Sequence, residues 1–295
     1  MTPFRIVVPA SSANLGPGFD SLGLALSLYL TVDVSASDAW EIEQHSAYLP
    51  EQVDAYDHLI VSAARETAAH WHEQLPPCHL SMQSDIPLAR GLGSSASAIV
   101  AGIELADRVC CLSLTADEKL QLGASIEGHP DNIAPAVMGG LVISAAADGV
   151  AERVLLPVPD VETVLAIPGE ALTTEAARDV LPAVYTREQA ASASAISNVL
   201  VAALAAGDYA RAGRMMEQDL FHEPYRQAML PHYETIRSEA GAHGAYGTVI
   251  SGAGPAMISF LPEGKGDSLV SRLQDRLPDY QVMRLKPDPN GVLSS

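Results

Sequence analysis

The spacing of apolar and polar positions changes period several times along this chain, and each change marks an element. Residues 4–11, "FRIVVPAS", form a short apolar, β-branched run and predict a strand. "LGLALSLYLTVDVSA" (22–36) holds at least one more. Over 54–71 the spacing becomes helical, with Leu59, Ile60, Ala63, Ala64, Thr67 and Trp71 on one face. "CHLSMQS" (78–84) alternates and predicts a strand leading to Pro87. Next comes a helix capped by Ser94, with a buried stripe through Ile99, Ile103, Ala106 and Cys110. Thr115 and Glu118 make a capping-box pattern for the following helix, which ends near Glu127 and Gly128. "LVISAAA" (141–147) reads as a strand.

Over residues 148–160 the pattern loosens, which predicts a border between halves at 1–155 and 156–295. Beyond it "TVLAIP" is a strand, and 188–206 form an Ala-rich helix ended by Gly207. Asp208 caps a helix toward Asp219, and Pro231 begins another. "GTVISGAGPAMISFLP" reads as strand, glycine loop, strand, followed by a helix over about 266–276 and the strand "YQVMRL". Elements interleave in both halves, so the class is α/β or α+β. No repeat of 20–50 residues is visible.

Composition narrows the function classes. The chain has 295 residues, and 48% of them are hydrophobic, enough for a proper core. A net charge of −19, with only 17 Lys and Arg, excludes a broad basic face for nucleic acid or an anionic membrane. An anionic ligand must then be held by local groups working against the global field. The three cysteines, Cys78, Cys110 and Cys111, imply reduced thiols rather than a disulfide framework. "MTPFRIVVPASS" lacks the pattern of a signal peptide. The apolar run "LGLALSLYLTV" is about half the length needed to span a bilayer. The expectation is a soluble, cytoplasmic protein.

The chemistry concentrates in "DIPLARGLGSSASAIVAGIELADRV" (85–109). A helix start carries unpaired N–H groups and a partial positive charge, which suit an anion. Gly91 and Gly93 allow positive φ and close backbone approach. Ser94, Ser95 and Ser97 add hydroxyls that can cap the helix, bind phosphate or reach a metal ion. The Walker pattern G-x-x-x-x-G-K-[ST] does not occur in the chain. Gly91, Gly93 and Ala96 do fill G-x-G-x-x-A formally. However, Pro87 and Arg90 separate them from the strand, and Glu104 and Asp107 come too soon for a ribose contact.

The stretch resembles the second motif of the GHMP small-molecule kinases, P-x-x-x-G-L-G-S-S-[AG]-S. Pro87, Gly91, Leu92, Gly93, Ser94, Ser95, Ala96 and Ser97 fill it without a gap, with Leu88, Ala89 and Arg90 between. "VPASSANLGPGFDSLGLAL" (8–26) and "SGAGPAMISF" (251–260) are similar to the first and third motifs, in the right order. "PASSANLGPGFD", "EGHPDNIAPAVMGGL" (127–141), "TTEAARDVLP" (173–182) and "DLFHEPYR" (219–226) resemble the homoserine kinase subgroup. The resemblance implies an α+β, two-domain fold with a ribosomal-protein-S5-like N-terminal domain and a ferredoxin-like C-terminal one. It also implies a homodimer, with residues 87–97 cradling the ATP triphosphate and Mg²⁺ held by Ser95 and Glu127.

The implied reaction moves the γ-phosphoryl group of ATP to the side-chain hydroxyl of L-homoserine, a step toward threonine. Arg178 and Arg226 suit an α-carboxylate, because guanidinium forks match its geometry. Asp20, with Asn14 beside it, suits the ammonium. His129, Thr174 and Gly252 fall in the matching stretches and are assigned to the substrate pocket. Many relatives place an aspartate near the acceptor hydroxyl; the matching position here is Asn132. An amide is no useful base near neutral pH, so the reaction is expected to run without a side-chain base. Asn14 and Asn132 would orient the hydroxyl, and Glu127 would complete the catalytic set. The chain departs from the subgroup at His58, where Asn-Leu is common beside adenine, and at Arg90, which either touches a phosphate or faces solvent. Competing readings are another kinase of the superfamily, for mevalonate or a sugar, and a sensor that has lost phosphoryl transfer. The presence of Ser95 and Glu127 argues against the sensor.

Overall fold

Two strands of unequal character start the fold. β1 (Phe4–Ala13) and β2 (Leu22–Ala36) pair antiparallel along their length, with the register shifting between Pro9 and Ala10. Proline has no N–H for the ladder, and the bulge lies where it stands. Past it β1 continues as Ala10–Ala13, with both faces buried, and so runs beyond the predicted strand end. In the computed structural model, residues 1–48, 54–147 and 149–295 are described.

β3 (Glu41–Gln44), α1 (Leu59–His70), β4 (Cys78–Ser84), α2 (Ser94–Cys110), α3 (Ala116–Glu127), α4 (Ile133–Met138), β5 (Leu141–Ala147) and β6 (Val150–Leu156) follow. With β1 and β2 they build a sheet ordered β1-β2-β4-β3, with β5 joined to β2 and β6 to β5. α2 is buried almost all round, wider than the predicted stripe, because it lies against β1, α1 and α3 at once. Lys119 of α3 reaches Glu104 at 2.5 Å and Asp107 at 2.7 Å, so those two acids stitch helices together. The Thr115–Glu118 capping box is present, and Gly128 ends α3 in the left-handed region. The predicted Ser94 cap is not: Gly93 occupies the cap, with no side-chain hydrogen bond, and Ser94 is the first helical residue.

After β6 the chain crosses to a second sheet, through β7 (Glu162–Ile167), α5 (Thr174–Asp179), α6 (Arg187–Ala205), α7 (Tyr209–Met216), α8 (Glu223–Arg226), α9 (Tyr233–Ala242), β8 (Gly247–Ile250), β9 (Met257–Leu261), α10 (Gly266–Arg276) and β10 (Gln281–Leu285). This sheet is antiparallel, ordered β10-β7-β9-β8. The loosened pattern over 148–160 is largely β6, an edge strand with Val150, Val154 and Leu155 exposed; Asp148 lies outside the described residues. β11 (Leu293–Ser294) then pairs with β1, so the C-terminus returns to the first sheet instead of staying in the half assigned to it. A larger apolar core lies under the first sheet and extends between the two halves, and a smaller one joins α9 and α10 to the second sheet. The three cysteines are free.

Candidate active site

Between the two sheets lies a cleft of about 310 Å³ into which all three glycine-bearing stretches converge. Backbone hydrogen bonds bring them together. Ser11 N–H donates to the Leu92 carbonyl (3.1 Å), Gly252 N–H to Ala13 (3.1 Å) and Ala256 N–H to Arg90 (3.2 Å). Ser251 Oγ donates to the Gly91 carbonyl at 2.7 Å. The bareness of the two cradle glycines therefore serves protein packing as well as ligand access. At Gly91 (φ +75°) a Cβ would overlap the Ser251 carbonyl oxygen, and at Gly93 (φ +69°) it would overlap Ser11 Oγ.

The first backbone bond of α2 runs from Ser97 N–H to Gly93 at 2.8 Å. The N–H groups of Ser94, Ser95 and Ala96 are left without an intrahelical acceptor at the positive end of a 17-residue helix. Of the predicted cradle, Ala89, Gly91, Leu92, Gly93, Ser94 and Ser95 line the cleft. Pro87, Leu88, Arg90, Ala96 and Ser97 do not. Ser97 Oγ instead donates to Pro9 (2.9 Å) and Gly93 (3.0 Å), fixing the helix start on β1.

Arg90 is tied to protein carbonyls. Its Nε donates to the Pro168 carbonyl at 3.0 Å, Nη1 to Leu88 at 2.9 Å, and Nη2 to Gly169. The Leu172 N–H donates to Ala89 at 3.1 Å beside it. The side chain is thus a strap from the cradle to the loop after β7. His58 caps α1, its Nδ1 accepting from Ile60 N–H at 3.3 Å, and lies outside the cleft lining; burial lowers its pKa.

Every residue assigned to substrate, metal or catalysis lines the cleft: Asn14, Asp20, Ser95, Glu127, His129, Asn132, Thr174, Arg178, Arg226 and Gly252. Their partners differ from the simple assignment. Arg178 and Asp20 were assigned to opposite ends of a zwitterion, yet here they form a two-pronged pair at 2.7 and 3.2 Å. That bond holds the Arg178 pKa above the ordinary value. Arg226 is 1% exposed. Its Nε donates to Ala177 at 2.9 Å and its Nη1 to Gly252 at 3.2 Å. Burial, and then the charge of Arg178, lower its pKa to about 10. Asn14 uses both ends of its amide on the protein, accepting from Asp20 N–H at 3.0 Å and donating to Gly252 at 2.9 Å. Asn132 Oδ1 accepts from Ser11 Oγ at 2.9 Å.

Sequence reasoning missed Asp131 and Phe19, although both stand inside quoted motifs. Asp131 is 2% exposed, and its Oδ1 lies 2.6 Å from His129 Nδ1. Burial opposes a charge on His129, but the Asp131 carboxylate outweighs it, so the imidazole pKa is raised. Phe19 meets two guanidiniums, Arg178 at 5.6 Å and Arg226 at 5.5 Å from its ring centre. Ser95 Oγ donates to Glu127 Oε2 at 2.8 Å, which places a hydroxyl and a carboxylate side by side at the mouth of the cradle. Two oxygen donors there fit Mg²⁺, which prefers few protein ligands beside phosphate and water. No group of three or more metal-ligating side chains exists among the described residues.

Comparison with known proteins agrees with this geometry. Residues 58–140 match the family model for the GHMP kinases N terminal domain, and 200–279 match that for GHMP kinases C terminal. A homoserine kinase of Oceanobacillus iheyensis is 49% identical over 294 residues, covering 99% of each chain. One from Halalkalibacterium halodurans is 46% identical, covering 98% of this chain and 94% of that one. The crystal structure of the Cytophaga hutchinsonii homoserine kinase superposes with a TM-score of 0.88 at 25% identity, over 100% of this chain and 98% of that one. The L. major mevalonate kinase shares the fold, with a TM-score of 0.73 at 17% identity over 96% of this chain and 95% of that one. The chain belongs to the homoserine kinase family of the GHMP kinases.

Proposed function

We propose that the cleft transfers the γ-phosphoryl group of ATP to the side-chain hydroxyl of L-homoserine, giving O-phospho-L-homoserine and ADP. The single observation that carries this reading is the union of a backbone cradle for phosphates with an Asp20–Arg178–Arg226 set for a zwitterion in one cleft. Mevalonate and sugars lack the ammonium and carboxylate together, so that charged set favours an amino-acid acceptor.

Such a transfer depends on positioning and charge neutralisation more than on covalent help. The N–H groups of Ser94 and Ser95 would receive phosphate oxygens, with the positive end of α2 behind them. Arg226 and Arg178 would take the α-carboxylate, and Asp20, freed from Arg178 on one side, would take the ammonium. Asn132 would orient the hydroxyl from its Nδ2, since its Oδ1 is bonded to Ser11. His129, whose imidazole pKa the Asp131 carboxylate raises against the effect of burial, lines the same cleft beside Glu127 and Arg178. Ser95 and Glu127 would hold Mg²⁺, which would supply charge neutralisation for phosphoryl transfer. With an amide, Asn132, facing the acceptor, the hydroxyl proton would pass to the phosphate or to water. Two copies of the chain per assembly and a cytoplasmic setting belong to the same reading. No helix among the described residues is long and apolar enough to cross a membrane.

The test is a coupled ADP-release assay against homoserine, threonine, serine, mevalonate and galactose. Homoserine alone is expected to turn over well. Equal turnover of mevalonate, or no turnover of any substrate with ATP bound, contradicts the reading.

A further inference from the structure

The two arginines of the cleft share one ring. Phe19 stands in the turn between β1 and β2, beside Asp20. The guanidinium carbons of Arg178 and Arg226 lie 5.6 and 5.5 Å from its ring centre. Behind it the imidazole of His222 stacks at 5.4 Å and an interplanar angle of 26°. His222 is itself fully buried; its Nε2 lies 3.0 Å from the Gly16 carbonyl and its Nδ1 3.2 Å from Arg226 Nη1.

Arg226 makes no salt bridge among the described residues. Its charge, nearly out of water, faces carbonyl oxygens, the like charge of Arg178 and this ring, with the carboxylates of Asp20, Asp219 and Asp131 attracting it without forming an ion pair. The face of a benzene ring is negative and attracts cations within about 6 Å of its centre, more strongly where water is excluded. A ring that meets both guanidiniums offsets part of their mutual repulsion and fixes their separation. Phe19 lines the cleft, so the same residue would border an acceptor bound there.

We propose that Phe19 is a positioning residue: through its ring it holds Arg178 and Arg226 together as one carboxylate clamp and thereby sets affinity for an α-amino acid acceptor. This rests on the acceptor reading above. Nucleotide binding is carried by backbone of the cradle, so the ring acts on one substrate and not on the other.

The experiment replaces Phe19 with 4-fluoro-, 3,5-difluoro- and 3,4,5-trifluorophenylalanine in the full chain, with Phe19→Leu as the extreme. Fluorines drain the ring face while nearly keeping its shape. The homoserine KM is expected to climb stepwise with fluorination, by about tenfold at the trifluoro ring, while the ATP KM moves less than about twofold. kcat should change less than the homoserine KM. If the trifluoro ring disturbs folding, the mono- and difluoro rings read the same trend. A homoserine KM that stays flat across the series overturns the proposal, as does an ATP KM that rises in parallel. Failure of the unsubstituted enzyme to use homoserine overturns the acceptor reading instead, so the two failures are distinct.

Discussion

The cradle and the acceptor end share one cleft but are made of different material. The cradle is main chain: six consecutive or near-consecutive residues from 89 to 95 line it, and its electrostatics come from the start of α2. The acceptor end is side chain: Asp20, His129, Asp131, Arg178 and Arg226 come from four separate stretches and bond chiefly to protein groups. Backbone donors at a helix start have no partner of their own to release. Charged side chains in a chain of net charge −19 are held against one another until a ligand takes over. On the proposed reading the phosphate site is preformed, whereas the zwitterion site would form by exchange of partners.

Changes that strike one region should separate the two substrates. The largest expected effect is at Gly91, where an alanine side chain overlaps the Ser251 carbonyl and φ is positive. Gly91→Ala should lower kcat/KM for ATP by about a thousandfold, on the order of 4 kcal/mol in the transition state. Steady-state kinetics at saturating homoserine would measure it, and a mild effect would mean the cradle tolerates displacement.

Next comes Arg226→Ala. The notion of a simple carboxylate grip implies a KM effect alone, but this side chain also anchors the Ala177 and Gly252 carbonyls from full burial. The substitution should cost about 3 kcal/mol of stability in urea unfolding, in addition to raising the homoserine KM. Unchanged stability would return Arg226 to a purely ligand-facing role.

A third way to sharpen the contrast looks behind the third motif. Glu223 Oε1 accepts from Ile250 N–H at 2.7 Å, and Oε2 accepts from Tyr233 Oη at 2.6 Å. Burial pushes this carboxyl up to about 7. A proton is thus retained in the folded state that the unfolded chain releases near 4.5, so this contribution is present at low pH and lost as pH rises through 7. Between pH 5 and pH 8 the wild type should lose about 2 kcal/mol more stability than Glu223→Gln. Parallel pH profiles for the two proteins would remove Glu223 as the cause.

The smallest effect is at Asp20. Asp20→Asn leaves Arg178 without its acid and the ammonium without a counter-charge, and the pair is about one-third exposed, so screening softens the loss. The homoserine KM should rise about tenfold with the ATP KM steady. Equal changes in both would blur the distinction between the two regions.

What could be read in the sequence follows the same division. The cradle was legible because its chemistry is contiguous, and so was the Thr115–Glu118 box, whose two bonds are local. Individual side chains within it were not. Arg90 was left open between a phosphate contact and solvent because the carbonyls it straps, at 168 and 169, are 78 and 79 positions away. Ser94 looked like a cap because serine favours that place, but the left-handed backbone there needed Gly93. β6 was read as a loosened border since Val150, Val154 and Leu155 occupy exposed positions, so its apolar residues do not mark the buried face. The residues assigned to the acceptor line one cleft, but the pairing of Arg178 with Asp20 joins residues 158 apart and has no local trace. Asp131 went unassigned for want of a neighbour pattern, although His129 two residues before it is its partner.

The most direct measurement is a crystal structure of the full chain with a non-hydrolysable ATP analogue and L-homoserine. The account predicts phosphate oxygens on the amides of residues 94 and 95 and the α-carboxylate on Arg178 and Arg226, with the Asp20–Arg178 bond opened to admit the ammonium. A zwitterion bound elsewhere while that ion pair stays closed, or phosphates away from the start of α2, would contradict it.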